Sequence, residues 1–487
     1  MNKVLCVYDN TRKPDDKIQD IIGEKSFGDI ILKRKSLKSY CFENITKFDF
    51  ITEFYDLSRC EQISLLIRNM EGLSVNTPII HLYSCFMIND TDEFNILIQK
   101  SKYIKQNVLV MSPLPAMIMF YNVEDYIKYL KLCLSIEATN CIPENLDFDK
   151  MNTRALTDIS THDSFLKYIS GGFEARFFNS IQGNDYIVTK TSTEKTKIKS
   201  EYSLYHMLPE EMKMWFVLPF NYRENENTAS YSMERYQMAD LGIRWVHGAI
   251  SIEEFESILK RTLCFINSRH KKNVSAMEYK TIADDLYIDK LEKRVLGFKE
   301  HKLYGTFESY IQAGTDYSKF DDIILDYKNL YELVNKKIKF EPISVIGHGD
   351  LCFSNMLYNK EASILKLIDP KGALEEEQLW TNPYYDMAKL SHSICGRYDF
   401  FNRGLYEITL DESFKLNLKI DFDNTKFVNI FKNYLEENGY SYACVRLFEA
   451  SLFLSMLPLH MDYPQKVLGL LLNAIEILKE VKLCMKK

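Results

Sequence analysis

The chain has 487 residues, 46% of them hydrophobic and 26% charged, with 61 basic against 68 acidic side chains and a net charge of −7. That length exceeds one compact domain and predicts two to four units at roughly 150 residues each. The balance excludes wholesale disorder and fibrous architecture, and an acidic chain offers no broad cationic face for a nucleic-acid partner. The eleven cysteines are scattered and form no C-x-x-C pair, so reduced thiols in a cytoplasmic protein are expected rather than a disulfide framework or a zinc site. The most apolar stretch, 108–121, is interrupted by Ser112, Pro113 and Pro115, so no membrane span is expected.

In chain order, residues 1–150 alternate short apolar runs (4–8, 64–67, 78–87 and 108–111) with amphipathic segments (92–102 and 123–136). The runs read as buried strands and the segments as helices, an α/β layer with a largely parallel sheet. The polar stretch 140–163, with Pro143 and several Asp and Asn, reads as a linker. Beyond it come strand-like runs at 165–169, 176–180 and 185–190, broken by Gly171-Gly172 and Gly183-Asn184, then a helix over 196–207. Two further runs, 215–219 and 229–235, complete a small antiparallel sheet. From about residue 240 helical periodicity dominates, as in 252–267, 320–337 and 466–482, interrupted by 345–372. The plan is an α/β domain over 1–150, a small β-lobe over 151–240 and a helical lobe over 241–487.

The sharpest chemical signal lies in that interruption. Residues 346–358 contain His348-Gly349-Asp350, with Asn355 five residues after Asp350, and Asp369 follows within Leu367-Ile368-Asp369-Pro370. Phosphoryl transfer needs a group to take the acceptor's proton and hard oxygen ligands for the Mg²⁺ that neutralises a triphosphate. Asp350 suits the first role; Asn355 and Asp369 suit the second.

H-G-D-x-x-x-x-N followed by I-D resembles the catalytic core of the aminoglycoside phosphotransferase and choline kinase family, with its two-lobed protein-kinase-like fold. Tyr385-Asp386-Met387-Ala388 is similar to that family's D-x-A segment. The resemblance covers roughly residues 160–487. It implies ATP and Mg²⁺ as cofactors, a small hydroxylated acceptor as partner, Asp386 bracing the catalytic loop, and His348 holding that loop by hydrogen bonds. It also implies an upstream lysine for the nucleotide phosphates, Lys190, fixed by Glu201 on the following helix in preference to Glu194. Gly171 and Gly172 stand where a phosphate-covering loop belongs, although no G-x-G-x-x-G is present. Residues 233–236, with Glu234 and Tyr236, stand where the chain crosses between lobes beside an adenine ring.

Other residues invite plainer readings. Cys352 has no activating partner in the motif, so a buried inert thiol is expected. Lys371 is a loop lysine or a phosphate ligand. His392, Arg397, Tyr398, Asp399, His460 and Asp462 are candidates for the acceptor pocket, and 375–377 reads as an exposed acidic face.

Residues 1–150 carry no comparable motif. The opening strand and the run 78–85 faintly resemble sugar nucleotidyltransferases, but Asp9-Asn10-Thr11-Arg12-Lys13-Pro14 replaces the glycine-rich loop such enzymes wrap round a triphosphate. A degenerate nucleotidyltransferase-like domain and a plain structural or oligomerising domain both stay open. The resemblance implies a kinase for a sugar, amino alcohol or related precursor of a cell-surface glycan. The alternatives are a bifunctional protein with a nucleotidyl- or glycosyltransferase N-terminus, and a lapsed kinase serving as a nucleotide-binding scaffold. Oligomeric state is not legible.

Overall fold

Val4–Asp9 is buried along its whole length, as a strand covered on both faces must be. In the computed structural model, which describes residues 3–32, 34–139, 141–169, 179–183 (backbone only) and 186–486, it lies inside a six-stranded sheet. The order is Ile51–Leu57, Val4–Asp9, Ile79–Tyr83, Leu114–Phe120, Asn107–Ser112, Phe148–Asn152. The sheet is mixed: Leu114–Phe120 runs antiparallel to both neighbours, whereas the other three ladders are parallel. Pro115 is accommodated where that strand's register with Met111 shifts, so its missing N–H breaks no regular pair.

Four readings of this region need correction. Residues 64–67 lie in the helix Ile63–Glu71, which buries Ile63, Leu66, Ile67 and Met70 on one face; a short apolar run hides that 3.6 period. Residues 165–169 likewise belong to the helix His162–Ile169. The run 78–87 is two strands, Ile79–Tyr83 and Phe86–Ile88, separated by a turn at Ser84-Cys85. The supposed linker holds Phe148–Asn152, whose half-exposed place at the sheet edge explains its polar composition, and Leu156–Asp158, which pairs with Phe86–Ile88. The chain divides into two units, Met1–Phe173 with His247–Ala249 and Glu174–Val246 with Ile250–Lys487.

The second unit opens with an antiparallel sheet ordered Asn179–Gly183, Ile187–Ser192, Ala229–Glu234, Pro219–Glu224. The helix Lys195–Met207 packs Ile198 on Ala229 and Tyr231 of that sheet. The strand expected over 215–219 begins only at Pro219, because Phe216 bridges instead to Leu367 and Val217 donates to the Leu367 carbonyl.

The remainder is mainly helical. Phe320–Lys337 buries Phe320, Ile323, Ile324, Tyr327, Leu330, Tyr331 and Val334, a single stripe, with Asp321 and Asp322 in its first turn and Lys336 and Lys337 in its last. Tyr442–Met456 is buried almost all round and forms the axis of the body. Among the described residues, Tyr442–His460 is long and apolar enough to cross a membrane, but 78% of its apolar window is buried inside the fold, as in a core helix. Three short strands flank the motif residues, which lie in the segments beside them: Ile343–Ile346 and the hairpin Met356–Asn359 with Ile364–Leu367.

Candidate active site

Lys190 sits mid-strand in Ile187–Ser192, pointing under the sheet, where its side chain is 4% exposed. Its ammonium donates to Glu201 Oε2 at 2.8 Å and to Asp369 Oδ1 at 2.9 Å. Tyr231, from the neighbouring strand, donates to the same Glu201 oxygen at 3.0 Å. Burial alone would lower the lysine's pKa, but the carboxylates of Asp369 and Glu201 more than offset it and hold it above the ordinary range. Burial raises the Glu201 carboxyl, with Lys190 opposing. A cation is thus fixed on a rigid strand while one of its partners, Asp369, stays 44% exposed and free to exchange.

The loop after Ile343–Ile346 is set by His348. Its Nδ1 accepts from the Asp350 N–H at 3.2 Å, so its Nε2 carries the proton given to the Ile368 carbonyl at 3.0 Å. Both nitrogens are spent on backbone, and burial lowers the ring's pKa, so His348 is a neutral clamp tying Asp350 to Asp369. Asn355 closes the other side: its Nδ2 donates to the Asp350 carbonyl at 2.9 Å and to Asp350 Oδ2 at 3.2 Å, which leaves its Oδ1 for a cation. Ile368 N–H to the Asn355 carbonyl, 3.0 Å, draws Asp369 alongside. Asp369 holds a left-handed backbone, φ 52°, a conformation that Asp tolerates better than most residues.

Asp386 braces this loop from the helix Tyr385–Ile394. Its two oxygens accept from the His348 and Gly349 N–H groups at 3.1 and 2.9 Å, and it pairs with Arg269 at 3.1 Å, with both side chains almost fully buried. Gly349 is required here: its φ is 76°, and a Cβ would lie 2.6 Å from Lys371 Cβ. Gly372, at φ 84°, lets the segment after Asp369 pass against the Glu201 helix, where a Cβ would meet Ser200 Oγ at 2.5 Å.

Asp350 remains 41% exposed and receives Lys389 from the brace helix at 2.8 Å. Burial would raise its pKa, but the Lys389 ammonium outweighs that and holds the carboxyl below its ordinary value. The Cys352 thiol is pushed well up, first by burial and then by Asp350, which suits an inert buried group.

A cleft above this cluster is lined by Leu204, Phe216, Val217, Tyr231, Met233 and Leu367, with Glu201 and Asp369 at its polar end. Glu234 points outward and is not part of that lining, and Tyr236 lies under the Lys366 ammonium, 5.5 Å from its ring centre. Gly171 and Gly172 lie outside the described residues. Lys371, Asp462 and 375–377 are exposed, whereas His392 and Asp399 are buried and Tyr398 stacks on His392 at 4.3 Å. Sequence reasoning missed Arg269, Tyr231 and Lys389. Only Lys389 left a signal, an ammonium three residues after Asp386, on the helical turn that carries it.

In the first unit, the loop after the opening strand is committed to internal bonds. Asp9 accepts from Thr11 and pairs with buried His81 at 3.1 Å, and Asn10 accepts from the Gly28 N–H. Asp90 caps the helix Thr91–Lys100 through Asp92 and Glu93 N–H.

No family model matches the sequence, and no curated protein matches it significantly. Solved structures do show a likeness. A thermostable mutant of aminoglycoside phosphotransferase APH(4)-Ia, in its apo form, is 12% identical over 65% of this chain and 98% of that one, with a TM-score of 0.35. A ternary complex of that enzyme with ADP and hygromycin B gives 10%, 65%, 97% and 0.35. The streptomycin–ATP complex of APH(2")-IIa gives 12%, 63%, 89% and 0.33.

Proposed function

We propose that the chain is an ATP-dependent phosphotransferase acting on an alcohol of a small molecule. The observation that carries this reading is the convergence, through His348, of an exposed carboxylate (Asp350) and a second carboxylate (Asp369) that is itself bound to a buried lysine. Phosphoryl transfer is mostly positioning and charge stabilisation, and this set supplies both. In the proposed step the acceptor oxygen attacks the γ-phosphorus, the bond to the β-bridging oxygen breaks, ADP leaves, and the hydroxyl proton passes to Asp350. Lys190, steadied by Glu201, holds nucleotide phosphates, and the apolar lining from Phe216 to Met233 takes the base.

The donor set fits magnesium rather than a transition metal. Among the described residues no cluster of three His, Cys, Asp or Glu side chains forms a cage, whereas Mg²⁺ uses one or two protein oxygens plus phosphates and water. Asn355 and Asp369 are the residues that would hold it. When bound, Mg²⁺ neutralises charge on the phosphate oxygens. We place the reaction in the cytoplasm, where ATP is supplied, and propose a sugar, an amino alcohol or a related glycan precursor as acceptor. Purified protein with Mg-ATP and a panel of such alcohols tests the reading. ADP release stimulated by one panel member supports it. Magnesium-dependent nucleotide binding with no transfer to any acceptor would instead make the protein a scaffold.

A further inference from the structure

The residues between Asp350 and Asn355 are Leu351, Cys352, Phe353 and Ser354, none of them cationic. A carboxylate beside a triphosphate is repelled by the phosphate charge, and a positive neighbour keeps it from being driven aside. The neighbour comes from another element. Lys389 stands one turn after Asp386 on Tyr385–Ile394, its side chain 16% exposed and its ammonium 2.8 Å from Asp350 Oδ1. One helix turn therefore fixes the loop twice: Asp386 takes its backbone N–H groups and Lys389 takes its carboxylate. Tyr385, one turn back, has its hydroxyl held by Lys290 at 2.9 Å, and Lys290 directly follows a π-helical segment, Asp285–Asp289.

We propose that Lys389 is the positioning residue for the proton acceptor, orienting the Asp350 carboxylate through a direct ion pair supplied by the brace helix. The inference rests on the phosphotransfer reading. Around Asp350 the charged and titratable groups are Lys389 and Tyr385 from that helix, Lys290 behind Tyr385, and His348 and Cys352 from the loop, with Asp399 facing Cys352. Among the described residues, Lys389 is the cation paired directly with the carboxylate. The Lys389 ammonium is in turn held well above its ordinary pKa, despite burial, by Asp350 and then Tyr385.

The test compares the full-length protein with Lys389→Met and Lys389→Arg, reading kcat and KM for Mg-ATP with water as acceptor, and Mg-ATP binding by calorimetry. Urea midpoints of Lys389→Met, Asp350→Asn and the double variant are read alongside. In Lys389→Met kcat falls, by up to about 100-fold for a misplaced base, with Mg-ATP affinity unchanged, and Lys389→Arg restores it. The two substitutions are non-additive in the urea midpoint, as expected for side chains in contact. An unchanged kcat in Lys389→Met, or additive midpoints, overturns the proposal while leaving phosphotransfer standing. A parent that neither binds nor hydrolyses Mg-ATP removes the phosphotransfer reading, and the urea cycle still decides the coupling of Lys389 to Asp350.

Discussion

The ion pair between Arg269 and Asp386 links residues 117 apart and is almost fully removed from water, at 1% and 0% side-chain exposure. Asp386→Asn removes the negative charge from beside a buried guanidinium. It also leaves one oxygen where two backbone donors, His348 and Gly349, each now use their own. Breaking a buried pair by removing one partner costs about 3–5 kcal/mol, and an unmet buried donor adds about 1–3 kcal/mol. Against a total stability of about 5–15 kcal/mol, that is a large fraction. Arg269→Met makes the reciprocal lesion. The double variant costs less than the sum of the two, by up to about 3 kcal/mol, because no charge is then stranded. Urea unfolding followed by tryptophan fluorescence reads this cleanly, because all three tryptophans (Trp215, Trp245 and Trp380) belong to the second unit. Single variants within about 1 kcal/mol of the parent, or a strictly additive double, would refute the reasoning.

Lys190→Met takes its nearest cation from Glu201, 3% exposed, and leaves it Tyr231 and a more distant Lys197, so both Mg-ATP turnover and urea midpoint fall; loss of a buried charged hydrogen bond, about 1.5–3 kcal/mol, corresponds to about 10- to 150-fold in rate. The double variant Lys190→Met/Glu201→Gln regains stability without regaining turnover, which separates charge burial from nucleotide binding. Gly349→Ala forces a left-handed alanine against Lys371, at a cost of at least about 1–2 kcal/mol, and lowers turnover more than it lowers the unfolding midpoint of the body. His348 and His392 are both held neutral, below the ordinary 6.5, chiefly by burial. The unfolded chain therefore binds protons that the folded one does not. Stability is full above about pH 6.5 and falls as pH drops below it, by up to about 1.4 kcal/mol per unit for each histidine. Among the described residues neither ring nitrogen of His392 has a hydrogen-bond partner, so His392→Phe leaves stability at pH 8 nearly unchanged and flattens the slope between pH 6.5 and 5.

The residues that converge were legible where their spacing is local. His348 to Asn355 is one loop, Asp369 follows one hairpin later, and Lys190 and Glu201 are separated by one strand end and the start of a helix. Arg269 was not legible, because nothing near it in sequence marks an arginine whose partner lies 117 residues away. Short apolar runs failed for a different reason: 64–67 and 165–169 contain too few residues to show whether their period is 2 or 3.6. The edge strand Phe148–Asn152 was lost because edge position permits polar residues, and Leu114–Phe120 because Pro115 reads as a breaker unless the register shift beside it is known. The meaning of Lys389 depends wholly on the helix carrying it being turned toward Asp350.

The central claim is that Asp350 accepts the proton of a hydroxyl attacking Mg-ATP. Its most direct measurement is ADP formation by the parent and by Asp350→Asn, with Mg-ATP affinity determined on both. The account predicts equal affinity and a loss of about 100-fold or more in the variant, the range for a missing general base. Undiminished turnover in Asp350→Asn, or a parent that binds no magnesium nucleotide, would contradict it.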